Sequence, residues 1–553
     1  MSAPDPPKVD LWSKFDQSDL NSAIKVLEAI SDTPDLKCYG ALNPDMKRLL
    51  FTLNKQFGEN RNKIAKARKR KHDSAVSEQT GIRKLRKVGV MRSFPNGSLA
   101  GVLEYGAKNI ASAPLPAIAA QKNLMSGSPE PTSGQDEQIP KSLFNARNCH
   151  VCMSPYTLLH HFYDRLCPKC GDFNFAKRMS IADLTGRVCL VTGGRVKIGY
   201  CIALQLLRSN ASKVIVTTRF PNNAASRFAA EADFNTFKSR LVIIGVDFRS
   251  LAMVHRFCDY IKTTYSRLDV LINNAAQTVR KPPAFYEHLM EEELRCDVDW
   301  GGIEVLASTS DQKVLKYTSN QTALVPLPTS LPLQSMQSMQ LDTSAALSQI
   351  PLIPEDILTT SEKHGLFPPG KLDRHLQQVD YRPVNSWVLD IGQVSTVEFV
   401  ECQTINSSAP WVLISELKEL MESTGPIEEK SVLGDAPKWD KYIVNVSAME
   451  GQFNRLKSTH HPHTNMAKAA LNMLTRTSAA GFAQVDIFMT AVDTGWVTNE
   501  LPLHPGETEF TRPQPPLDEV DGAMRVLDPV FNGINGGKKV WGVFLKDYKV
   551  TKW

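Results

Sequence analysis

The sequence predicts an α/β protein built on a doubly wound parallel sheet, preceded by a small cysteine-bearing module and a loosely structured N-terminal region. Three observations carry that prediction. From about Leu184 onward, short apolar runs of strand length alternate with segments of helical spacing. The first of those runs ends in a glycine-rich turn, and two CxxC pairs stand just ahead of it. Strands alternating with helices need crossover connections, which give a parallel sheet covered on both faces.

Residues 1–140 form the loosely organised region. Leu20 to Ile30 and Met46 to Phe57 have apolar spacing suited to short amphipathic helices. KIAKARKRK at Lys63–Lys71 and RKLRK at Arg83–Lys87 are basic runs. The first reads either as a solvated helix face or as a nuclear localisation signal. Aromatic residues do not interleave with it, so sequence-specific nucleic-acid binding is not predicted. Residues 111–140, rich in Pro, Ser, Ala, Gly and Gln, read as a linker.

Residues 141–180 form the cysteine module and residues 184–553 the α/β domain. Val188–Thr192, Lys213–Thr217, Leu241–Val246 and Leu268–Ile272 are buried-type strands, and a helix runs through Ile202–Leu207. Residues 278–386 break the pattern and read as an irregular, partly disordered insertion. The pattern resumes with a helix at about Ala409–Glu422, a strand at Tyr442–Val446, a helix at about Thr464–Gly481 and a strand at Val485–Ala491.

The composition is that of an ordinary globular chain: 42% hydrophobic, 22% charged, net charge +6 over 553 residues. The N-terminal stretch MSAPDPPKVD lacks the basic and apolar regions of a secretory signal. No apolar run reaches the ~18 residues of a membrane span. Four of the ten cysteines form the two pairs and six are scattered, which fits metal binding in a reducing compartment better than a disulfide framework. A cytoplasmic protein is expected, with nuclear entry open through the basic run.

Cys149 and Cys152 are separated from Cys167 and Cys170 by fourteen residues. Paired CxxC knuckles at this spacing are the pattern of tetrahedral structural zinc. With four thiolates available the shell is closed, so the ion is expected to hold a fold together rather than to carry out chemistry. A protein partner for the module is a further expectation.

Between the strand Val188–Thr192 and the first helix runs Thr192-Gly193-Gly194-Arg195-Val196-Lys197-Ile198-Gly199. Glycines let a backbone approach a pyrophosphate, and the following helix N-terminus offers free N–H groups. This is the Rossmann arrangement, and the turn resembles the TGxxxGxG of the short-chain dehydrogenase/reductases, with Lys197 in place of the middle glycine. It is similar to pteridine reductase-like members, which implies NADP rather than NAD. Arg219, after the second strand, matches the family's arginine for the 2′-phosphate. Asp247 matches the aspartate beside the adenine. Asn273-Asn274-Ala275-Ala276 is similar to the family's NNAG segment, which places Asn274 and Ala275 at the cofactor. Val492-Asp493-Thr494-Gly495-Trp496-Val497-Thr498 resembles the PGxVxT segment, which places Thr498 near the pyrophosphate.

The same resemblance implies the reacting groups. Asn406 matches the family's helix-bound asparagine, Ser447 its substrate-orienting serine, and Lys468 its lysine, which also contacts the nicotinamide ribose. The family's tyrosine is missing. Four residues before Lys468 stands Thr464, and the gap from Ser447 is longer than usual. A threonine hydroxyl is far less acidic than a phenol of pKa ~10. The preceding loop carries His460, His461 and His463, and a histidine of pKa ~6.5 can exchange protons near neutrality. His463 is therefore the expected substitute, beside Thr464 itself.

Two functions stay open at this point. One is an NADP-dependent oxidoreductase moving hydride to or from a small carbonyl or alcohol. The other is a catalytically degenerate, zinc-bearing adaptor or sensor that keeps the cofactor site. Family members often form homo-oligomers, which is a further expectation here.

Overall fold

The computed structural model describes residues 48, 63, 65–88, 92–93, 142–295, 300–306, 343–425, 439–454, 456–507 and 511–553. Except for Arg48, which is helical, the two helices expected at Leu20–Ile30 and Met46–Phe57 lie outside the described residues, as does the linker at 111–140. The chain divides into two units, 1–74 and 75–553. In the first unit residues 65–74 are helical, and 65–72 are exposed, the solvated arrangement of a basic run.

The second unit opens with helix α1 (Gly81–Val88), which buries Ile82. Strands β1 (Ser142–Asn148) and β2 (Pro155–Leu158) then pair antiparallel. Helix α2 (Pro168–Arg178) follows, with Pro168 at its first turn, where a missing N–H costs nothing. Tyr163, Leu166 and Cys149 are fully buried in a small core shared with Ile82.

The α/β elements follow in the order β3 (Val188–Thr192), α3 (Lys197–Arg208), β4 (Lys213–Thr218), α4 (Pro221–Ala229), β5 (Leu241–Gly245), α5 (Leu251–Thr264) and β6 (Val270–Asn273). After α6 (Pro283–Glu293) and β7 (Glu304–Leu306) come α7 (Thr396–Gln403), α8 (Ala409–Ser423), β8 (Lys441–Ser447), α9 (Pro462–Ala483), β9 (Ile487–Asp493), α10 (Glu519–Ile534), β10 (Phe544–Lys546) and β11 (Lys549–Thr551). Among the described residues they build one sheet in the order β7-β5-β4-β3-β6-β8-β9-β10-β11. Every pair in it is parallel except β10 with β11. The crossovers diverge between β3 and β6, so a crevice opens at the carboxyl ends of these two strands.

Both sheet faces are covered. One packs Ile202, Leu206 and Leu207 of α3 with Val526, Leu527 and Val530 of α10. The other packs Phe257 and Ile261 of α5 with Leu413, Leu417 and Met421 of α8. The central strands are apolar throughout because neither face meets water.

The insertion differs from expectation. Residues 296–299 and 307–342 fall outside the described set, but 278–295, 300–306 and 343–386 are ordered. Strand β7 extends the sheet beside β5. Phe285, Tyr286 and Leu289 of α6 share a small core with Phe220, Ala345 and Phe367. Arg280 donates to both oxygens of Asp356 at 2.6 Å and lies 3.2 Å from Glu401 of α7. These partners are far apart in sequence, so local patterning carried no sign of them. No helix among the described residues is long and apolar enough to cross a membrane.

Candidate functional site

At the end of β3 the chain turns under two glycines that admit no side chain. Gly193 has φ +69°, and a Cβ there would sit 2.8 Å from the Cα of Ala275. A Cβ on Gly199 would sit 2.2 Å from the carbonyl oxygen of Gly193 and 2.4 Å from Nδ2 of Asn274. Lys197, two residues before Gly199, takes the left-handed φ of +54°. That conformation costs a residue with a side chain ~1–2 kcal/mol.

The turn is fastened to the end of β6. Asn274 donates from Nδ2 to the carbonyls of Thr192 and Gly193 at 2.9 and 3.1 Å. The Thr192 hydroxyl accepts the backbone N–H groups of Asn274 and Ala275, each at 2.9 Å. One residue earlier, Asn273 donates to Asn445 of β8, which donates to Thr475 of α9. Asn273, Asn274 and Ala275 thus join strand ends and turn into one hydrogen-bonded unit.

Above this turn lies a cleft of about 610 Å³. Of the residues singled out in the sequence, Gly193, Arg195, Lys197, Ile198, Gly199, Arg219, Asp247, Asn274, Ala275, Ser447, Lys468 and Thr498 line it. Thr192, Asn406, His463 and Thr464 do not. One end is basic. The Arg219 guanidinium stands 4.5 Å over the Tyr286 ring and donates to the Tyr286 hydroxyl at 2.7 Å. Arg195 is held by Asn223 at 2.8 Å and Gln377 at 3.0 Å, and burial with Arg227 nearby pulls it down to about 9. Burial pulls Lys197 down as well, but Glu500, Asp373 and Glu519 outweigh it and hold the ammonium above the usual lysine value. Asp247 is raised by burial and lowered more strongly by Arg249, 2.7 Å away, so it stays ionised.

The other end holds Ser447 and Lys468. Ser447 ends β8, and its hydroxyl lies 3.5 Å from the carbonyl of Lys468 on α9. Lys468 donates from Nζ to the Val446 carbonyl at 2.8 Å, and burial pushes it down to about 8. Asn406 sits in a π-helical turn at Thr404–Ser408, joining α7 to α8. Its amide accepts the Gln277 N–H at 2.7 Å and donates to the Gln277 carbonyl at 2.9 Å, which pins the chain just beyond β6. Single π turns inside helices are frequent at functional sites.

The histidine expectation needs correction. Pro462 opens α9, so His463 lies inside the first turn rather than outside the helix. It is buried, 3.3 Å from the Thr464 hydroxyl, and burial lowers its pKa. Its neighbours are on α7: the His463 carbonyl accepts from Gln403 at 2.8 Å. The spacing of Thr464 and Lys468 puts both on one side of the helix, but only Lys468 lines the cleft.

The sequence reading missed the cleft residues supplied by the insertion. Asp380 is paired with Lys281 at 2.6 Å and with Arg382 at 2.7 Å, and all three line the cleft. Glu500 lines it too, and accepts from Thr498 at 2.8 Å. None of these belongs to a recognisable motif; the one available signal was the density of charge in KLDRHLQQVDYR, Lys371 to Arg382.

The four cysteines of the module converge. The Sγ atoms of Cys149, Cys152, Cys167 and Cys170 all lie within 4.8 Å of one another, and Cys152 and Cys167 are 3.8 Å apart. A tetrahedral ion with Zn–S bonds of ~2.3 Å needs sulfurs ~3.8 Å apart. A disulfide needs ~2.05 Å. The donor set therefore fits a four-thiolate metal ion.

Comparison with known proteins bears on the cleft. Residues 187–295 match the short chain dehydrogenase family model. The matched stretch runs from β3 through α6 and contains the glycine turn, Arg219, Asp247 and the NNAA segment. An uncharacterized protein of Acanthamoeba polyphaga mimivirus is 29% identical over 420 residues, 71% of this chain and 74% of the viral protein. Carbonyl reductase [NADPH] 1 of Sus scrofa is 34% identical over 93 residues, 16% of this chain and 30% of that protein. A short chain dehydrogenase/reductase of Gibberella zeae is 31% identical over 103 residues, 19% of this chain and 36% of its own. The chain thus spans about a third of these two reductases. Among solved structures, the NADPH-bound carbonyl reductase from chicken fatty liver is 17% identical, covering 67% of this chain and 99% of that one, with a TM-score of 0.38.

Proposed function

We propose that the chain is a short-chain dehydrogenase/reductase that binds NADP(H) and moves hydride between it and a small carbonyl or alcohol. The observation that carries this reading is the meeting of the glycine turn, a basic pocket end and the Ser447–Lys468 pair in one cleft. Lys197 and Arg219 would take the phosphate groups, and Asp247 would face the adenine. Arginine suits bidentate phosphate contact better than lysine. When bound, the nicotinamide supplies or accepts the hydride.

The protein's own groups do the rest. Ser447 orients the substrate oxygen by hydrogen bonding, and Asn406 keeps the end of β6 in register beneath it. With Thr464 and His463 outside the cleft, we assign the proton to the Nζ of Lys468. Burial sets that ammonium to release a proton at about 8. In the reductive direction the proton must be present, so turnover is expected to fall as pH rises through about 8. A pH–rate profile at saturating NADPH checks this. A fall below neutrality would instead point to His463, whose pKa burial lowers.

The test of the reading is NADPH consumption by the purified protein against a panel of small aldehydes and ketones. Turnover that needs Ser447 supports it. Tight NADPH binding with no turnover on any substrate favours the second reading, a cofactor-binding adaptor. The absence of Thr464 and His463 from the cleft is the observation that keeps that alternative alive. In either case we propose structural zinc on Cys149, Cys152, Cys167 and Cys170.

A further inference from the structure

The cysteine module does not stand apart from the cleft. Its polar residues reach α10 and the segment before it. The Tyr163 hydroxyl donates to Asp521 at 2.6 Å, and both residues are fully buried. Arg178 pairs with Asp518 at 2.6 Å and Asp521 at 3.1 Å. Asn174 accepts from Arg525 at 2.6 Å. A buried charge pair that loses one partner costs several kcal/mol, so such contacts fix orientation strongly.

Three further contacts reach the segments that form one wall of the cleft. Arg165 lies between the two CxxC pairs. It donates to the Gln514 carbonyl at 3.1 Å, and its guanidinium stands 5.7 Å over the Trp496 ring. Arg86 of α1 donates to the Leu517 carbonyl at 2.7 Å. Val497 and Leu517 are buried in the same small core as Tyr163 and Leu166, and Ile198 of the glycine turn packs against it. Val497, Thr498 and Gln514 line the cleft. Residues 496–497 and 514–517 are therefore held from behind by the module, with α1 added at Leu517.

We propose that the four-cysteine module is a metal-dependent clamp for the cofactor cleft: a bound zinc ion fixes Arg165 and its neighbours, and these hold the wall segments 494–498 and 514–517 in their binding position. The module's apolar core is small and is shared with Ile82, Val497 and Leu517, so a bound ion adds directly to what orders it. The coupling rests on the reading of the cleft as an NADP(H) site. Arg165 is a positioning residue and touches no cofactor.

The experiment uses the full chain in zinc-loaded and chelator-stripped forms, with metal content measured in each. Two readouts are followed: NADPH affinity by nicotinamide fluorescence, and hydrogen–deuterium exchange of residues 494–507 and 511–517. Stripping is expected to weaken NADPH binding at least tenfold and to speed exchange in both peptides, with zinc restoring both. Arg165→Ala, which keeps all four cysteines, is expected to weaken binding severalfold at unchanged zinc content and so guards against simple unfolding of the stripped protein. Unchanged affinity in the stripped protein and in Arg165→Ala overturns the clamp, even if exchange rises. If the zinc-loaded protein binds no NADPH, the cofactor reading fails, and unchanged exchange then removes the clamp as well.

Discussion

Alanine at position 199 is expected to weaken NADPH binding by roughly ten- to a hundredfold. Overpacking a tight site costs ~1–3 kcal/mol, and each ~1.4 kcal/mol is tenfold in affinity. The added Cβ would press on the Gly193 carbonyl at 2.2 Å, and that atom is backbone, so it cannot swing aside. The second near atom, Nδ2 of Asn274, belongs to the clamp that holds the turn to β6. Relief of the clash therefore opens the turn or breaks the clamp, and either change moves the N–H groups at the start of α3. Fluorescence titration of Gly199→Ala against the parent chain checks this, with circular dichroism to verify the fold. Equal affinity in the two proteins would show that this turn does not approach a cofactor.

Lys468→Met is expected to lower turnover by ~100-fold or more, the usual weight of a positioned proton donor. Methionine keeps most of the volume and removes the ammonium, so packing in α9 is largely preserved. Lys468→Arg separates two roles. Arginine retains positive charge and hydrogen-bonding capacity toward a ribose, but it does not release a proton near neutrality. If Lys468 supplies the proton, the arginine variant binds NADPH within a few fold of the parent and still turns over poorly. Turnover close to the parent's in both variants would remove Lys468 from the chemistry. The same assays on His463→Gln are expected to show little change, because its ring does not line the cleft.

The sheet was legible because its strands announce themselves. VCLVT, KVIVT and LVIIGV are apolar on both faces, which only a strand buried between two helix layers requires. The glycine turn was legible because its position between first strand and first helix has a steric reason. The side on which a helical residue faces the cleft was not. Thr464 and Lys468 share one side of α9 by spacing, yet the site takes only the lysine. His463 looked like a loop residue because the loop before it is polar, while Pro462 in fact starts the helix one residue earlier. The ordered half of the insertion was hidden for a different reason. Its anchors are pairs such as Arg280 with Asp356 and Arg195 with Gln377, which no periodicity joins. The docking of the cysteine module was equally silent, since Arg178 and Asp521 are 343 residues apart.

If the cleft takes NADP(H), the 2′-phosphate sits at the basic end, beside Arg219. Parallel titrations with NADPH and NADH, followed by nicotinamide fluorescence, test it most directly. Saturable binding of NADPH at least tenfold tighter than NADH is expected, with the preference lost in Arg219→Ala. Failure to bind either nucleotide, or equal affinity for both, would contradict it.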